Sequence, residues 1–300
     1  MFHVKPKRDP EVRRGVKTTR RSVRPPRFQR AYVLSIANQK GGVGKTTTAV
    51  SLAAALSEVD CRVLLVDFDP QGNATSGLGM RDEATSPTIY EALSELVPVN
   101  EVLRPTELPN LELAPANIDL AGAEIELVAA FSREQRLRRV LEPIRGDFDV
   151  VIIDCPPSLG LLTVNALCAA NGVIVPIQSE YYALEGLGAF RRNAELIRTQ
   201  LNPRLEIIGF VLTMLDARTR LSQQVVAEVR NHFGDRVFKT RIPRTVRLAE
   251  SPGFGQPITV FDSASRGALA YRRLAEEVLD RIVVSHLQAL TAGNTQEVAW

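Results

Sequence analysis

The chain has only three cysteines, Cys61, Cys155 and Cys168, and no CxxC pair among them. So few, so scattered, they point to a reducing compartment and exclude both a disulfide framework and a thiolate metal centre. No apolar run approaches the roughly 18 residues that a membrane-spanning helix needs. The first residues lack the apolar core of a signal peptide, so a cytoplasmic protein is expected. No internal repeat is visible. The last ten residues, TAGNTQEVAW, contain no Lys or Arg, which removes the basic amphipathic ending of a membrane-surface anchor. What is present is 300 residues, 45% hydrophobic and 24% charged, room for one large α/β domain or two small ones.

Charge is distributed unevenly. Residues 1–30 hold eleven Lys/Arg against Asp9 and Glu11, leaving 26 basic against 32 acidic residues in the remainder. The first thirty residues, broken by Pro6, Pro10, Pro25 and Pro26, have too little apolar periodicity to offset the entropy of ordering, and read as a disordered basic arm. Such an arm is either a solvated tail or a source of non-specific attraction to nucleic-acid phosphate. A folded domain is expected over 31–290 and a polar tail over 291–300.

The stretch AYVLSIANQKGGVGKTTTAVS, from Ala31 to Ser51, organises the rest. An apolar strand runs into a loop, Lys40, Gly41, Gly42, Val43, Gly44, Lys45, Thr46 and Thr47, and then into an Ala/Leu-rich helix. Strand, glycine loop and helix in that order form a phosphate cradle, in which backbone N–H groups and the positive end of the helix face the anion. Lys45 reaches the outer phosphates and the Thr46 hydroxyl ligates Mg²⁺. The usual first glycine of the loop is replaced by Gln39, and a second lysine, Lys40, follows it.

Two further strands end in acids. RVLLV runs into Asp67-Phe68-Asp69-Pro70-Gln71-Gly72, and two aspartates two apart on a strand point the same way, so both are expected to face one Mg-nucleotide. Pro70 and Gly72 stop the strand and make a mobile loop. Asp149–Asp154, DVVIID, is a central buried strand with a Walker B carboxylate, Asp154, at its tip to hold Mg²⁺ through water. Cys155 beside it reads as a small buried residue, since no His or Cys is spaced to assist it. Further strands are expected at Leu111–Leu113, Gly172–Ile177 and Ile207–Leu212. Helices are expected through Leu120–Ala130, Arg133–Leu141 and Arg266–Leu290, the last burying Leu269, Leu274, Val278, Ile282 and Val283. The alternation specifies the α/β class: one doubly wound, mostly parallel sheet flanked by helices.

Taken together, ANQKGGVGKTTT, VLLVDFDPQGNATSGLG, VIIDCPPSLGLLTVNAL, EYYALEGL, TMLDARTR and IPRTVRLAESPGFG resemble the ParA/Soj partition ATPases, of the deviant Walker A (ParA/MinD) P-loop group, from Tyr32 to about Arg281. The resemblance implies ATP hydrolysis with Mg²⁺, an ATP-dependent homodimer and a nucleoid-associated protein that binds DNA non-specifically and answers to a ParB-type centromere-binding partner. By the same resemblance Lys40 crosses the dimer to the partner's nucleotide, Asp69 positions the attacking water and Asp67 supports the Mg²⁺ shell. Pro243 and Thr245 match positions lining the adenine pocket, although the family commonly has asparagine at the latter. Arg218, Arg244 and Arg247 match arginines tied to DNA binding. A MinD-like membrane ATPase is disfavoured by the polar tail, and a nitrogenase-reductase-like carrier by the unpaired cysteines. A P-loop enzyme that phosphorylates a metabolite is the remaining alternative.

Overall fold

A computed structural model of the chain describes residues 29–81, 87–179, 183–216 and 218–294. All of the basic arm except Gln29 and Arg30 lies outside these residues, as does the tail beyond Asn294. Strand β1 (Tyr32–Ile36) leads through the glycine loop into helix α1 (Lys45–Ser57), and β2 (Val63–Asp67) leads into the short α2 (Asn73–Gly77). Next come α3 (Ile89–Leu93), β3 (Arg104–Pro105), β4 (Leu111–Ala114), α4 (Leu120–Glu126) and α5 (Arg136–Leu141). Strand and helix then alternate through β5 (Val150–Asp154), α6 (Leu161–Ala169), β6 (Gly172–Gln178), α7 (Ala183–Gln200), β7 (Glu206–Leu215), α8 (Arg220–Phe233) and β8 (Val237–Pro243). Helices α9 (Val246–Glu250), α10 (Ile258–Phe261) and α11 (Arg266–Asn294) complete the fold.

The strands form one eight-stranded sheet in the order β3-β4-β2-β5-β1-β6-β7-β8. Every pair is parallel except β3 with β4, which is antiparallel. All residues of β1, β2 and β5 are buried, as expected of parallel strands covered by helices on both faces. Alternation divides β1 between two cores. Tyr32, Leu34 and Ile36 pack with α1 and α11, whereas Ala31, Val33 and Ala37 pack with the α5–α6 side. The C-terminal ends of β1, β2 and β5 lie together, and the register places Asp154 beside both Ile36 and Asp67.

Three elements depart from the sequence reading. The basic stretch from Lys239 begins inside β8, whose charged residues alternate with Phe238 and Ile242 and whose pairing with β7 slips in register. An edge strand with one neighbour tolerates such composition better than a central one. The loop after Asp67 contains the helical turn α2 rather than only irregular backbone. In α11, Leu274, Val278 and Ile282 are buried as expected, but Leu269 is 41% exposed. Leu269 lies five residues, about 140° of helical rotation, from Leu274, and the inner face of that first stretch is taken by Ala268 and Tyr271.

Two glycines join the region after β2 to the region after α9. Gly79 and Gly255 both have left-handed φ, 74° and 64°, and a Cβ added at Gly255 would lie 2.6 Å from the Gly79 Cα. Gly255→Ala should therefore lower the unfolding free energy by about 2–4 kcal/mol, combining a strained φ with overpacking against backbone. Gly253→Ala, where a Cβ meets nothing within 4 Å, should change it by less than about 0.5 kcal/mol. Urea unfolding of the two variants checks the contrast.

Candidate nucleotide site

The glycine loop is held from both sides. The Asn38 amide donates to the Pro176 carbonyl at 2.7 Å, and its oxygen accepts from the Lys40 backbone N–H at 3.0 Å. From β7 the Thr213 hydroxyl donates to the Val43 carbonyl at 2.8 Å. Gly42 and Gly44 take φ of 74° and 85°, a region that a Cβ disfavours. Helix α1 then starts without a side-chain cap and with no acid in its first turn, so its first N–H groups are available to an anion. Neither Asn38 nor Thr213 was marked by sequence reasoning; only the place of Asn38 at the strand's end hinted at a role.

The two lysines of the loop occupy different environments. Lys45 is 6% exposed, and its ammonium donates to the Lys40 carbonyl at 3.2 Å. Burial lowers its pKa, while Asp154, Cys155 and Asp69 pull the other way. Lys40 is exposed at the rim, with Gly41 and Gly42; Thr46 and Thr47 are half-buried in the first turn of α1.

Three carboxylates cluster behind the loop, Asp154 and Asp69 close enough to act on Lys45 and Asp67 beside Asp154. Both oxygens of Asp154 are buried without a hydrogen-bond partner. Burial, then Asp67, push its carboxyl well above the ordinary range; the Thr46 hydroxyl eases this from nearby without reaching bonding geometry. Asp67, fully buried, accepts from the Thr75 backbone and hydroxyl at 2.7 Å each and from the Asp69 N–H at 3.3 Å. Burial raises its carboxyl to about 6 against those bonds. Strand β2 ends at Asp67, and Asp69 beyond it still acts, with Asp67, on the Asp154 carboxyl. Phe68 enters the core, and Asp69, 6% exposed, lies in a turn where it accepts from the Gln71 N–H at 3.0 Å.

This donor set fits Mg²⁺ bound with a nucleotide. Among the described residues no group of three His, Cys, Asp or Glu could enclose a metal by itself, and Mg²⁺ characteristically takes one or two protein oxygens plus phosphate and water. Asp154 and Thr46 would hold it, with Asp67 anchoring the α2 turn beside them. The ion would supply the positive charge that Asp154 lacks and polarise the terminal phosphate. Cys155 is fully buried and its thiol pushed up by burial, as expected for a small packed residue.

Beyond the phosphate cradle, a cleft of about 1070 Å³ runs from Gly44 and Thr47 along Thr213–Asp216 and Ile242–Val246 to Tyr271. Pro243 and Thr245 line it, and the Thr245 hydroxyl is committed to capping α9 through the Leu248 N–H at 3.2 Å. Met214 in the same wall has a left-handed φ of 52°, unusual for a non-glycine residue in a strand. Arg218 and Arg244 also line the cleft. Arg218 is bound through both ends of its fork to Asp216, at 2.9 and 2.8 Å. Arg247 pairs with Glu250 at 3.3 Å and Asp262 at 3.5 Å, over the Phe261 ring. Arg244 is exposed.

Comparison with known proteins agrees with this geometry. A family model described as an AAA domain matches residues 31–207. The sporulation initiation inhibitor protein Soj of Bacillus subtilis is 54% identical over 246 residues, covering 82% of this chain and 97% of Soj. The chromosome partitioning protein ParA of Caulobacter vibrioides is 53% identical, covering 83% and 94%. The chain belongs to the ParA/Soj family of P-loop ATPases. Among solved structures, cobyrinic acid a,c-diamide synthase from Mycobacterium smegmatis, with bound ADP and magnesium, is 44% identical at a TM-score of 0.73, covering 82% of this chain and 93% of that one. The cell division ATPase MinD of Pyrococcus furiosus is 26% identical at a TM-score of 0.69, covering 83% and 98%.

An unpartnered buried carboxylate destabilises the nucleotide-free fold, and a ligand that binds only the folded state stabilises it. Asp154→Asn should raise the unfolding free energy of the nucleotide-free protein by about 1–3 kcal/mol and abolish most of the rise in melting temperature on adding Mg-ATP. Thermal unfolding with and without Mg-ATP checks both halves.

Proposed function

We propose that the chain is a DNA-segregation ATPase that binds and hydrolyses Mg-ATP, closes into an ATP-dependent homodimer and, as that dimer, binds DNA non-specifically. A centromere-binding partner of ParB type would stimulate turnover and release the DNA, and the protein would work in the cytoplasm on the nucleoid. The observation that carries this reading is the separation of the two loop lysines, one buried against the site's own carboxylates and one exposed at the rim. Two nucleotide sites brought face to face repel through their phosphates unless a cation crosses between them. Lys40 supplies that cation in this reading. Lys45, Thr46 and Asp154 hold the protomer's own Mg-nucleotide, Pro243 and Thr245 flank its base, and Asp69 orients the attacking water. No helix among the described residues is long and apolar enough to cross a membrane.

A second reading, a biosynthetic P-loop enzyme acting on a metabolite, draws support from the structural neighbour named for diamide synthesis. Identity to the partition proteins is higher. Burial raises the Cys61 and Cys168 thiols to about 12, and Cys155 also upward, so none is poised as the nucleophile that covalent metabolite chemistry could use.

Light scattering under ATP tests the partition reading with one pair of variants. Lys40→Ala should bind ATP yet remain monomeric, whereas Asp69→Ala should bind ATP and persist as a dimer because hydrolysis is blocked. A Lys40→Ala protein that still doubles its mass under ATP contradicts the crossing role.

A further inference from the structure

The proposed function leaves the basic arm unused, and the folded domain carries a surface of matching chemistry. Helix α4 and the 3₁₀ turn after it, Leu127–Ala129, bury Leu120, Ala123 and Leu127 on their inner side. The outer side is apolar as well: Ile118 is 65% exposed, Ile125 79%, Val128 58% and Phe131 93%. A helix at the surface normally turns charged and polar residues to solvent. Grouped apolar side chains left open in this way mark a contact surface.

Acids frame this face. Asp119 accepts from the Asn117 amide at 3.0 Å, Glu124 from the Leu162 N–H at 3.4 Å and Glu126 from the Tyr90 hydroxyl at 3.1 Å. All three donors are neutral, and among the described residues no cation pairs with these carboxylates, whereas Glu134 is neutralised by Arg133 at 3.0 Å. An apolar surface edged with uncompensated carboxylates suits a segment that combines basic and small apolar residues. Residues 1–30 have that composition, with eleven Lys/Arg against two acids and Val12, Val16 and Val23 spaced among them.

The arm also enters the fold on the right side of the sheet. Arg30 is ion-paired with Glu142, just after α5, and Ala31 and Val33 share a core with Leu120, Leu127, Leu137 and Leu141. Helix α5, six residues and so about 9 Å long, separates Glu142 from the turn that follows Phe131. The residues before Gln29 span up to roughly 90 Å when extended, so their reach is ample. Arg138 and Arg139 on α5 repel a basic segment from the intervening surface and leave the acidic face of α4 beyond them as the favourable place.

We infer that residues 1–28 of the chain dock on the outer face of α4, with valines against Ile125, Val128 and Phe131 and Lys/Arg against Asp119, Glu124 and Glu126. This contact does not depend on the partition reading, yet it adjoins the nucleotide site. The Ala116 N–H, two residues before Ile118, donates at 3.1 Å to the Thr75 hydroxyl, which in turn donates to Asp67.

Disulfide trapping in the full chain without nucleotide tests this. The native cysteines are all buried, so cysteines placed at the surface react first. Val16→Cys with Ile125→Cys, oxidised with diamide in dilute solution, should close an intramolecular disulfide at least about tenfold faster than Val16→Cys with Val284→Cys. Val284 is a demanding control: it is 54% exposed and follows the arm's exit closely, next to Ser285, whose hydroxyl meets that of Tyr32 at 3.0 Å, but it lies on α11, on the other side of the sheet. Raising salt from about 0.1 to about 1 M, which shortens the screening length from about 10 to about 3 Å, should cut the advantage at least about threefold, as should Asp119→Asn with Glu126→Gln. Equal rates for the two pairs describe a tether with no preferred place and overturn the inference. A disulfide that joins two chains gives the face to a second copy, and no disulfide at Ile125 leaves it to a different protein; either result overturns it equally.

Discussion

Two aspartates at the ends of neighbouring strands, Asp67 and Asp154, are register partners with every atom buried, and the nearby cation is the ammonium of Lys45. Like charges at that spacing cannot both ionise cheaply in a dry interior, so the arrangement persists only because each member is handled separately. Asp67 is given three bonds by the turn that follows it. Lys45 is held by the loop's own carbonyl. Asp154 is given none. A Mg²⁺ ion carried in by a nucleotide would complete that balance.

The clamps on the glycine loop follow from this constraint. A loop that must present its N–H groups to an anion cannot satisfy them internally, and its shape is fixed instead by the Asn38 side chain donating to the Pro176 carbonyl of β6 and by the Thr213 side chain of β7 donating to the Val43 carbonyl. Lys40 lies at the junction of those restraints: its N–H is held by Asn38 and its carbonyl by Lys45. The two loop lysines are thus tied to one another through the Lys40 carbonyl. The region after the turn anchored by Asp67 is joined to the segment after α9, where Gly79 meets Gly255.

Much of this was legible in the sequence, and the parts that were not share a cause. The strand, loop and helix around Lys45 are written in consecutive residues, and Asp154 follows four β-branched residues that leave little alternative to a buried strand. The buried state of Cys155 was equally plain. Asn38 and Thr213 escaped because their partners lie 138 and 170 residues away, and no local pattern encodes a bond from a side chain to a remote carbonyl. Strand β8 escaped because it is an edge strand with alternating charges, which resembles a basic loop. Asp67 and Asp69 both act on the Asp154 carboxyl, although β2 ends at Asp67 and the turn rather than strand alternation places Asp69. The pairing of Arg218 with Asp216 and of Arg247 with Glu250 is local in sequence, yet only coordinates distinguish a paired arginine from an available one.

In the proposed function the carboxylate site serves an ATPase cycle governed by DNA and a protein partner rather than by a metabolite. Steady-state ATP turnover by the full chain tests it most directly, measured alone, with random-sequence duplex, and with duplex plus a ParB-type centromere-binding protein. Slow basal turnover that rises at least about tenfold only when both are present is the predicted result. Turnover indifferent to both, but raised by a small carboxylic acid metabolite with ammonia, would contradict it.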